Sequence, residues 1–200
     1  MDLVRRAKNI ILSPKTEWDI IRNESTEARD VIVRYVLPLA AIAAAAVFIG
    51  YWLIGINAVF MRMGGLRWGL YYGLTVLIQD ILAVIVAAYV VDALAPSFGS
   101  EKDIRRSMQL TGYPYTPVLV GGFLSIIPSI SIIGSLFGLY GIYLWYLGLT
   151  PMKNTVEDKR TGYLIVSILV LIVVYIVIGW ILGMIFMSVF GLNMLPMKGI

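Results

Sequence analysis

Asp80 is the residue of this 200-residue chain whose type and position most directly suggest chemistry. It is a carboxylate near the middle of a long apolar stretch, where a charge costs roughly 2.5–3.5 kcal/mol and should face protein or water rather than lipid. At helical spacing it shares one face with three small residues that allow close helix contact, Gly73, Ala83 and Ala87. Two interpretations remain open: a proton or cation site, and a structural aspartate that holds helices together.

Other catalytic or ligand-binding chemistry has little support in the composition. The chain contains no cysteine and no histidine, which removes disulfides, thiolate catalysis, and the commonest general base and metal ligand. The sequence contains no phosphate-binding loop and no serine–histidine–aspartate set. We therefore predict no catalytic residue, no cofactor and no metal site, and a protein that is not an enzyme.

The apolar content points to a membrane protein. Hydrophobic residues make up 60% of the chain and charged residues only 14%, more apolar surface than a soluble domain of this length can bury. We predict an all-α, polytopic transmembrane helix bundle in residues 34–190, preceded by an N-terminal segment (1–33) and followed by a tail (191–200). Five spans are predicted, at about 34–57, 69–91, 113–128, 132–150 and 162–190.

The third and fourth predicted spans are short, and they meet at a turn near Pro128. A re-entrant pair that does not fully cross the bilayer is the alternative for this stretch. The basic residues set the orientation, since 13 of the 16 Lys and Arg fall in residues 1–34, 93–112 and 151–160. By the positive-inside rule, these segments and the N-terminus are cytoplasmic and the C-terminus is outside.

The N-terminal segment reads as amphipathic helices that lie at the membrane surface. One apolar helix face is accompanied by basic residues, and a tryptophan follows in the next helix, a composition typical of interfacial segments. We interpret the basic residues as contacts to anionic lipid heads rather than to nucleic acid. The candidate lipid-surface contacts are Arg5, Arg6, Lys8 and Trp18. The alternative is a solvated helix packed on the protein's own loops.

One ion pair is predicted where the second span ends. Asp92 lies at that end, and Arg105 and Arg106 belong to the connection that follows on the same side of the membrane. A structural salt bridge is the favoured interpretation of these residues, and a ligand site is the alternative.

Glycines recur at i and i+4 in the last two predicted spans, at positions 134 and 138 and again at 179 and 183. Such pairs allow helix backbones to approach closely. Packing within the bundle is favoured, while a homo-oligomer or another protein partner would use the same faces.

Two short motifs resemble the Yip family of Rab/Ypt-interacting membrane proteins. The stretch TGYPYTP before the third span resembles that family's Gly-Tyr-x(n)-Pro segment, and Pro14 to Trp18 resembles the Pro-x-x-x-Trp opening of short prokaryotic members. The first motif comprises Gly112, Tyr113, Pro114, Tyr115 and Pro117. The resemblance implies a five-span fold in a prokaryotic cell membrane. The long N-terminal domain of eukaryotic members is absent, so Rab binding is not implied.

Two functions from different classes remain. The first is a non-enzymatic membrane scaffold or adaptor that binds membrane lipids or protein partners. The alternative is a small ion, proton or solute transporter or channel centred on Asp80. The scaffold is favoured because the spans hold few polar groups, whereas transport paths usually need several.

Overall fold

The computed structural model describes residues 2–58 and 61–192, and nearly all of them lie in helices, which confirms an all-α architecture. Two short helices come first, α1 (Leu3–Leu12) and α2 (Pro14–Arg22). Proline stands in the first turn of α2, where the missing N–H has no helical partner to lose. Both helices are amphipathic and fold over one end of the bundle. We call them together the N-terminal platform, and the end they cover the capped end.

The first long helix, α3 (Ala28–Ile54), contains a widened turn that accommodates a proline. Pro38 has no amide hydrogen to donate and its ring crowds the preceding turn. The Leu37 amide donates to the Ile32 carbonyl, five residues back, so the helix continues through a π-helical segment instead of breaking. Helix α3 therefore remains continuous through its proline.

A two-stranded hairpin follows α3, at the end of the bundle opposite the platform. Strands β1 (Ile56–Ala58) and β2 (Met61–Met63) are antiparallel, with Ile56 opposite Met63. Gly55 starts the hairpin with a φ of +67°, a left-handed conformation that favours glycine. The sequence predicted the first span to residue 57 and then a connection up to residue 69, with no strand in it. We call this end the hairpin end.

The second long helix, α4 (Leu66–Leu94), runs back towards the capped end against α3. Glycine makes the close approach possible, because a Cβ on Gly73 would lie 2.9 Å from the Cβ of Phe48 on α3. Helix α5 (Ile104–Gly112) follows a short 3₁₀ turn, and Asp103 is its N-cap residue. The carboxylate of Asp103 accepts hydrogen bonds from the backbone amides two and three residues ahead, at 2.9 and 3.2 Å, and so caps the helix.

The remaining chain forms a short helix and two long ones. Helix α6 (Thr116–Gly122) is followed by 3₁₀ turns at Phe123–Ile126 and Pro128–Ile130. Helices α7 (Ser131–Lys153) and α8 (Glu157–Val189) complete the bundle. Among the described residues, four helices are long and apolar enough to cross a membrane: Ala28–Ile54, Leu66–Phe98, Pro128–Lys153 and Glu157–Val189.

Residues 116–126 comprise α6 and the first 3₁₀ turn, and we call them the α6 segment. This segment lies along most of the length of α3. At the capped end, Thr116 Oγ1 lies 2.6 Å from Tyr35 Oη on α3. At the other end, a Cβ on Gly50 of α3 would lie 2.8 Å from the Ile126 carbonyl oxygen. Tyr35 and Gly50 are separated by about 22 Å of helix at ~1.5 Å per residue. The segment therefore covers about three-quarters of a ~30 Å hydrocarbon core.

Helix α7 packs against α6, and helix α8 packs against α4. The backbones of Gly121 on α6 and Gly134 on α7 touch, and a Cβ on Gly121 would lie 3.2 Å from the Gly134 carbonyl carbon. Helix α8 packs along α4, with the Tyr163 hydroxyl donating to the Val91 carbonyl near the capped end. Most of the large apolar side chains of α8 are exposed, as on a helix that faces lipid. The largest fully buried aromatic side chains gather at the capped end: Trp18, Tyr35, Tyr113 and Tyr163.

Candidate functional site

Tyr113 lies at the centre of the capped end. It comes from the turn between α5 and α6, and its ring is fully buried. The ring meets Tyr35 edge-on at 5.0 Å between centroids and Trp18 at 6.4 Å. The Arg6 guanidinium carbon lies 5.4 Å from the same centroid, within the range of a cation–π contact. The predicted motif segment thus joins the platform to α3.

The rest of the motif contacts the other helices. Tyr115 Oη donates a 2.8 Å hydrogen bond to Asp80 Oδ1 on α4. A Cβ on Gly141 of α7 would lie 2.7 Å from the Pro114 carbonyl oxygen, so glycine permits that contact. Gly112 faces Val31 on α3, and Pro117 is buried. The motif therefore forms a junction between the platform and the bundle.

Asp80 is a buried carboxylate with 5% of its surface exposed. The hydroxyl of Tyr115 satisfies one of its oxygens, as expected of a polar group removed from water. The small residues predicted to share its helix face take different neighbours. Gly73 packs on α3, whereas Ala83 and Ala87 line a cavity on the other side.

Gln79 was not predicted as part of this site. Its side chain is buried, and Nε2 donates to the Tyr175 carbonyl on α8 at 3.2 Å. The sequence signal was a second polar residue in the middle of a span, next to Asp80. Gln79 therefore ties α4 to α8, while Asp80 ties α4 to the motif segment.

A cavity of about 370 Å³ lies between α4, α6, α7 and α8. Most of its lining is aliphatic, and the polar side chains that contribute to it are few. They are Thr111, Tyr115, Ser135, Trp145 and Tyr175. Asp80 does not line the cavity itself, but it accepts a hydrogen bond from the hydroxyl of Tyr115, which does.

Two platform residues that the sequence assigned to the lipid surface are buried: Trp18 bonds to the bundle, and Arg6 forms ion pairs within the N-terminal segment. Trp18 is 1% exposed, and its Nε1 donates to the Leu144 carbonyl of α7 at 3.1 Å. Arg6 is buried, pairs with Glu17 at 2.5 Å and also pairs with Glu24. Both predictions are therefore corrected, because a buried ion pair and an indole bond fix these side chains inside the protein.

Charge at Arg6 is stabilised by its surroundings. Burial disfavours the guanidinium, but the hydrogen bond to Glu24 and the nearby Glu17 hold its pKa above the usual value. Arg5 and Lys8, the other two predicted lipid contacts, are exposed on the outer face of α1. The basic residues of this helix thus divide into one internal and two external groups.

Asp92 has a different partner from the one predicted. Lys153, at the end of α7, is 1% exposed, and its Nζ lies 3.0 Å from Asp92 Oδ1 and 2.9 Å from Ser107 Oγ. Arg105 instead pairs weakly with Asp103 and Glu27, at 3.5 and 4.0 Å.

Arg106, the second predicted partner of Asp92, donates to the Ile21 carbonyl of α2 at 3.5 Å. Helix α5 presents Ser107 to Asp92, while Arg106 reaches the platform and Arg105 stays beside Asp103 and Glu27. No sequence signal marked Lys153, which looked like an ordinary loop lysine. Across residues 2–58 and 61–192, no group of three or more acidic side chains is placed to hold a metal ion.

The long apolar helices and the helices folded over one end define the chain as a polytopic α-helical membrane protein. The protein belongs to the Yip1 domain family, whose sequence model matches residues 8–181. This confirms the family resemblance drawn from the two motifs.

Curated relatives agree with the membrane assignment. The chain is similar to the inner membrane protein YohC of Escherichia coli strain K12, at 26% identity over 155 residues that cover 75% of this chain and 80% of that protein. The same figures apply to YohC of Escherichia coli O6:H1. No solved structure matches the chain.

Proposed function

We propose that this Yip1-domain protein is a non-enzymatic membrane scaffold whose N-terminal platform binds anionic lipid heads. The observation that carries the proposal is the fixed attachment of the platform to the bundle, through the Trp18 indole bonded to α7 and the Arg6 guanidinium packed on the Tyr113 ring. Its outer face exposes the cations Arg5 and Lys8 beside the apolar Val4, which is 72% exposed. Exposed cations next to exposed aliphatic groups suit an anionic membrane surface.

The proposal includes an orientation and a location. The likeness to two inner membrane proteins supports a bacterial inner membrane. The contacts of α6 with α3 support five crossings. The excess of Lys and Arg at the capped end supports a cytoplasmic position for that end, with the end of α8 outside. Lys198 of the predicted outer tail lies outside the described residues.

Surface substitutions test this function better than truncation does. Deleting the platform would remove Trp18 and Arg6 from the buried core and would confound binding with folding. We therefore choose the double variant Arg5→Ala/Lys8→Ala, with Arg67→Ala, an exposed arginine at the hairpin end, as matched control.

The measurement is the preference of purified protein for phosphatidylglycerol over phosphatidylcholine in nanodiscs at low salt. The double variant should lose about tenfold in preference, since each basic residue near an anionic surface contributes ~1 kcal/mol before screening. The control should lose less preference than the double variant, because it removes one basic residue at the other end of the bundle and leaves both platform cations. An unchanged preference in the double variant would refute lipid binding by the platform.

A second candidate function is supported by Asp80, which lies buried beside a cavity-lining tyrosine. In that case the protein would carry protons or cations, and the Asp80→Asn variant would abolish a flux measured in liposomes. Wild-type liposomes that show no proton or ion flux would exclude this transport function and leave the scaffold proposal intact.

A further inference from the structure

We infer that the cavity between α4, α6, α7 and α8 binds one acyl chain of a membrane phospholipid, with the ester carbonyl accepting a hydrogen bond from Trp145. This inference is independent of the lipid heads proposed for the platform, because it concerns a different part of the lipid and a different part of the protein. Four observations carry it.

The first observation is the shape and chemistry of the cavity. Its volume of about 370 Å³ falls in the range of small-molecule sites, and its lining is mostly aliphatic. Along α7 the lining extends from Ser135 to Trp145, about 15 Å at ~1.5 Å per residue. The cavity is therefore elongated along the helix axes, as an extended hydrocarbon chain would be.

The second observation is the opening of the cavity. Residues that line it on α7 and α8 are also exposed at the protein surface: Ile142 is 37% exposed, Ile172 is 51% and Ile176 is 63%. These helices are long and apolar enough to cross a membrane. The cavity thus opens between α7 and α8 towards hydrocarbon, where acyl chains are the abundant solute.

The third observation is an unsatisfied donor. Trp145 lines the cavity with 9% of its surface exposed, and its buried Nε1 makes no hydrogen bond to any of the described residues. Indole can only donate, and buried donors normally find a partner. Water fits poorly, because a buried water needs two to four polar partners. A carbonyl oxygen on an apolar ligand would satisfy the indole.

The fourth observation identifies the source of that carbonyl. The described residues that line the cavity include no Lys or Arg. A free fatty acid would bring a carboxylate into this site without a counter-charge, which is costly. A phospholipid ester is neutral at its carbonyl and leaves its phosphate outside. Trp145 lies eight residues before Lys153, about 12 Å from the end of α7 at the capped end, a depth suited to an ester group.

The test uses phosphatidylcholine with a photoreactive diazirine in the middle of one acyl chain, incorporated in nanodiscs with the purified full chain. A zwitterionic head avoids the anionic preference proposed for the platform, so the two proposals fail separately. Labelled peptides are mapped by mass spectrometry. We expect saturable labelling of Ile142 and Ile172, competed by unlabelled phosphatidylcholine. Labelling that is unsaturable and equal over all exposed faces would overturn the site.

Two substitutions one residue apart on α7 provide the matched comparison. A Cβ on Gly138 meets only Val118 at 3.6 Å, an ordinary contact, so Gly138→Leu extends into the cavity without distorting the backbone. Leu139 is 67% exposed and outside the lining, so Leu139→Trp adds bulk on the lipid face. Cavity labelling should fall to background in Gly138→Leu and stay at the wild-type level in Leu139→Trp. Equal labelling in both variants would overturn the inference.

Two further measurements test the chemistry. Trp145→Phe keeps the ring but removes the donor, and should weaken competition by unlabelled phosphatidylcholine about two- to tenfold, as expected for one neutral hydrogen bond. Unchanged competition would refute the role of the indole. A diazirine fatty acid at the same concentration should label the cavity less than the phospholipid does. Stronger labelling by the fatty acid would overturn the phospholipid assignment.

Discussion

At the residue scale, two buried polar side chains of α4, Asp80 and Gln79, are connected to specific partners on other elements. Asp80 receives the hydroxyl of Tyr115, and Gln79 reaches the backbone of α8. Neither contact involves an opposite charge. Each polar group instead fixes one helix against one neighbour, which accounts for polar residues inside an apolar bundle without assigning them chemistry.

Removing the hydroxyl of Tyr115 should destabilise the protein. In Tyr115→Phe the buried Asp80 loses its donor, at a cost of about 1–3 kcal/mol. Asp80→Asn keeps an oxygen acceptor for Tyr115 and should cost less. The free energy of unfolding, measured by titration with sodium dodecyl sulfate, tests both variants. Tyr89→Phe, at a tyrosine of α4 that is 62% exposed, is the control and should match the wild type. A Tyr115→Phe protein as stable as the control would contradict this role.

The buried Lys153 allows a second prediction about a single residue. Lys153→Met leaves Asp92 without its cation and should cost about 2 kcal/mol, less than the ~3–5 of fully buried pairs because Asp92 keeps 19% exposure. Adding Asp92→Asn, which still accepts from Ser107, should recover part of that loss. Thermal unfolding in detergent measures both. The exposed Lys159→Met serves as control. A double variant less stable than Lys153→Met would rule out the ion pair as the cause.

At the element scale, the sequence predicted the long helices because uninterrupted apolar length is a strong signal. It did not predict the hairpin after α3, since three-residue strands carry too little pattern and depend on Gly55 in a left-handed conformation. It also assigned Trp18 and Arg6 of the platform to the lipid surface, although both are buried. An amphipathic helix has the same pattern whether its apolar face meets lipid or protein, so burial of Trp18 could not be read from periodicity.

At the candidate site too, the sequence marked one residue but not the partners that it contacts. Asp80 stood out by its chemistry, because a charge in an apolar span is rare. Its partner Tyr115 lies 35 positions away on another element, and no spacing rule connects the two. Lys153 meets Asp92 across 61 positions for the same reason. Contacts between elements depend on how helices pack, which a single sequence does not specify.

The contact between α6 and α7 gives a prediction for two glycines four residues apart. In Gly134→Ala the new methyl group would meet the Gly121 carbonyl carbon at 3.0 Å, so the backbones must separate, at a cost of about 1–3 kcal/mol. Gly138→Ala meets only a side-chain methyl group at 3.6 Å and should be tolerated. Unfolding in sodium dodecyl sulfate compares the two. Equal stability would show that the α6–α7 hairpin does not depend on the close approach.

At the scale of the whole molecule, the number of crossings depends on the turn around Pro128. Five crossings place Ser129 in water at the hairpin end, whereas a re-entrant loop would leave it in lipid. The chain has no cysteine, so single cysteines report cleanly. In intact cells, Ser129→Cys should react with a membrane-impermeant maleimide added outside. Glu27→Cys, at the capped end, should react only after the cells are opened.

Protection of the Ser129→Cys thiol from both sides would instead establish the re-entrant arrangement, and external labelling of the Glu27→Cys variant would reverse the orientation. Arg62→Cys, in the hairpin, is the positive control for an outer position because it does not depend on the course of residues 113–130.

The shortness of the α6 segment has a consequence for how the protein is made. Residues 116–126 are too few to partition into a bilayer unaided, and their backbone approaches that of α7 at paired glycines. We therefore expect the two segments to leave the translocon together as one hairpin, because the short segment needs α7 as its partner. Lengthening the link around Pro128 would delay that pairing and expose the short segment to quality-control proteases during synthesis.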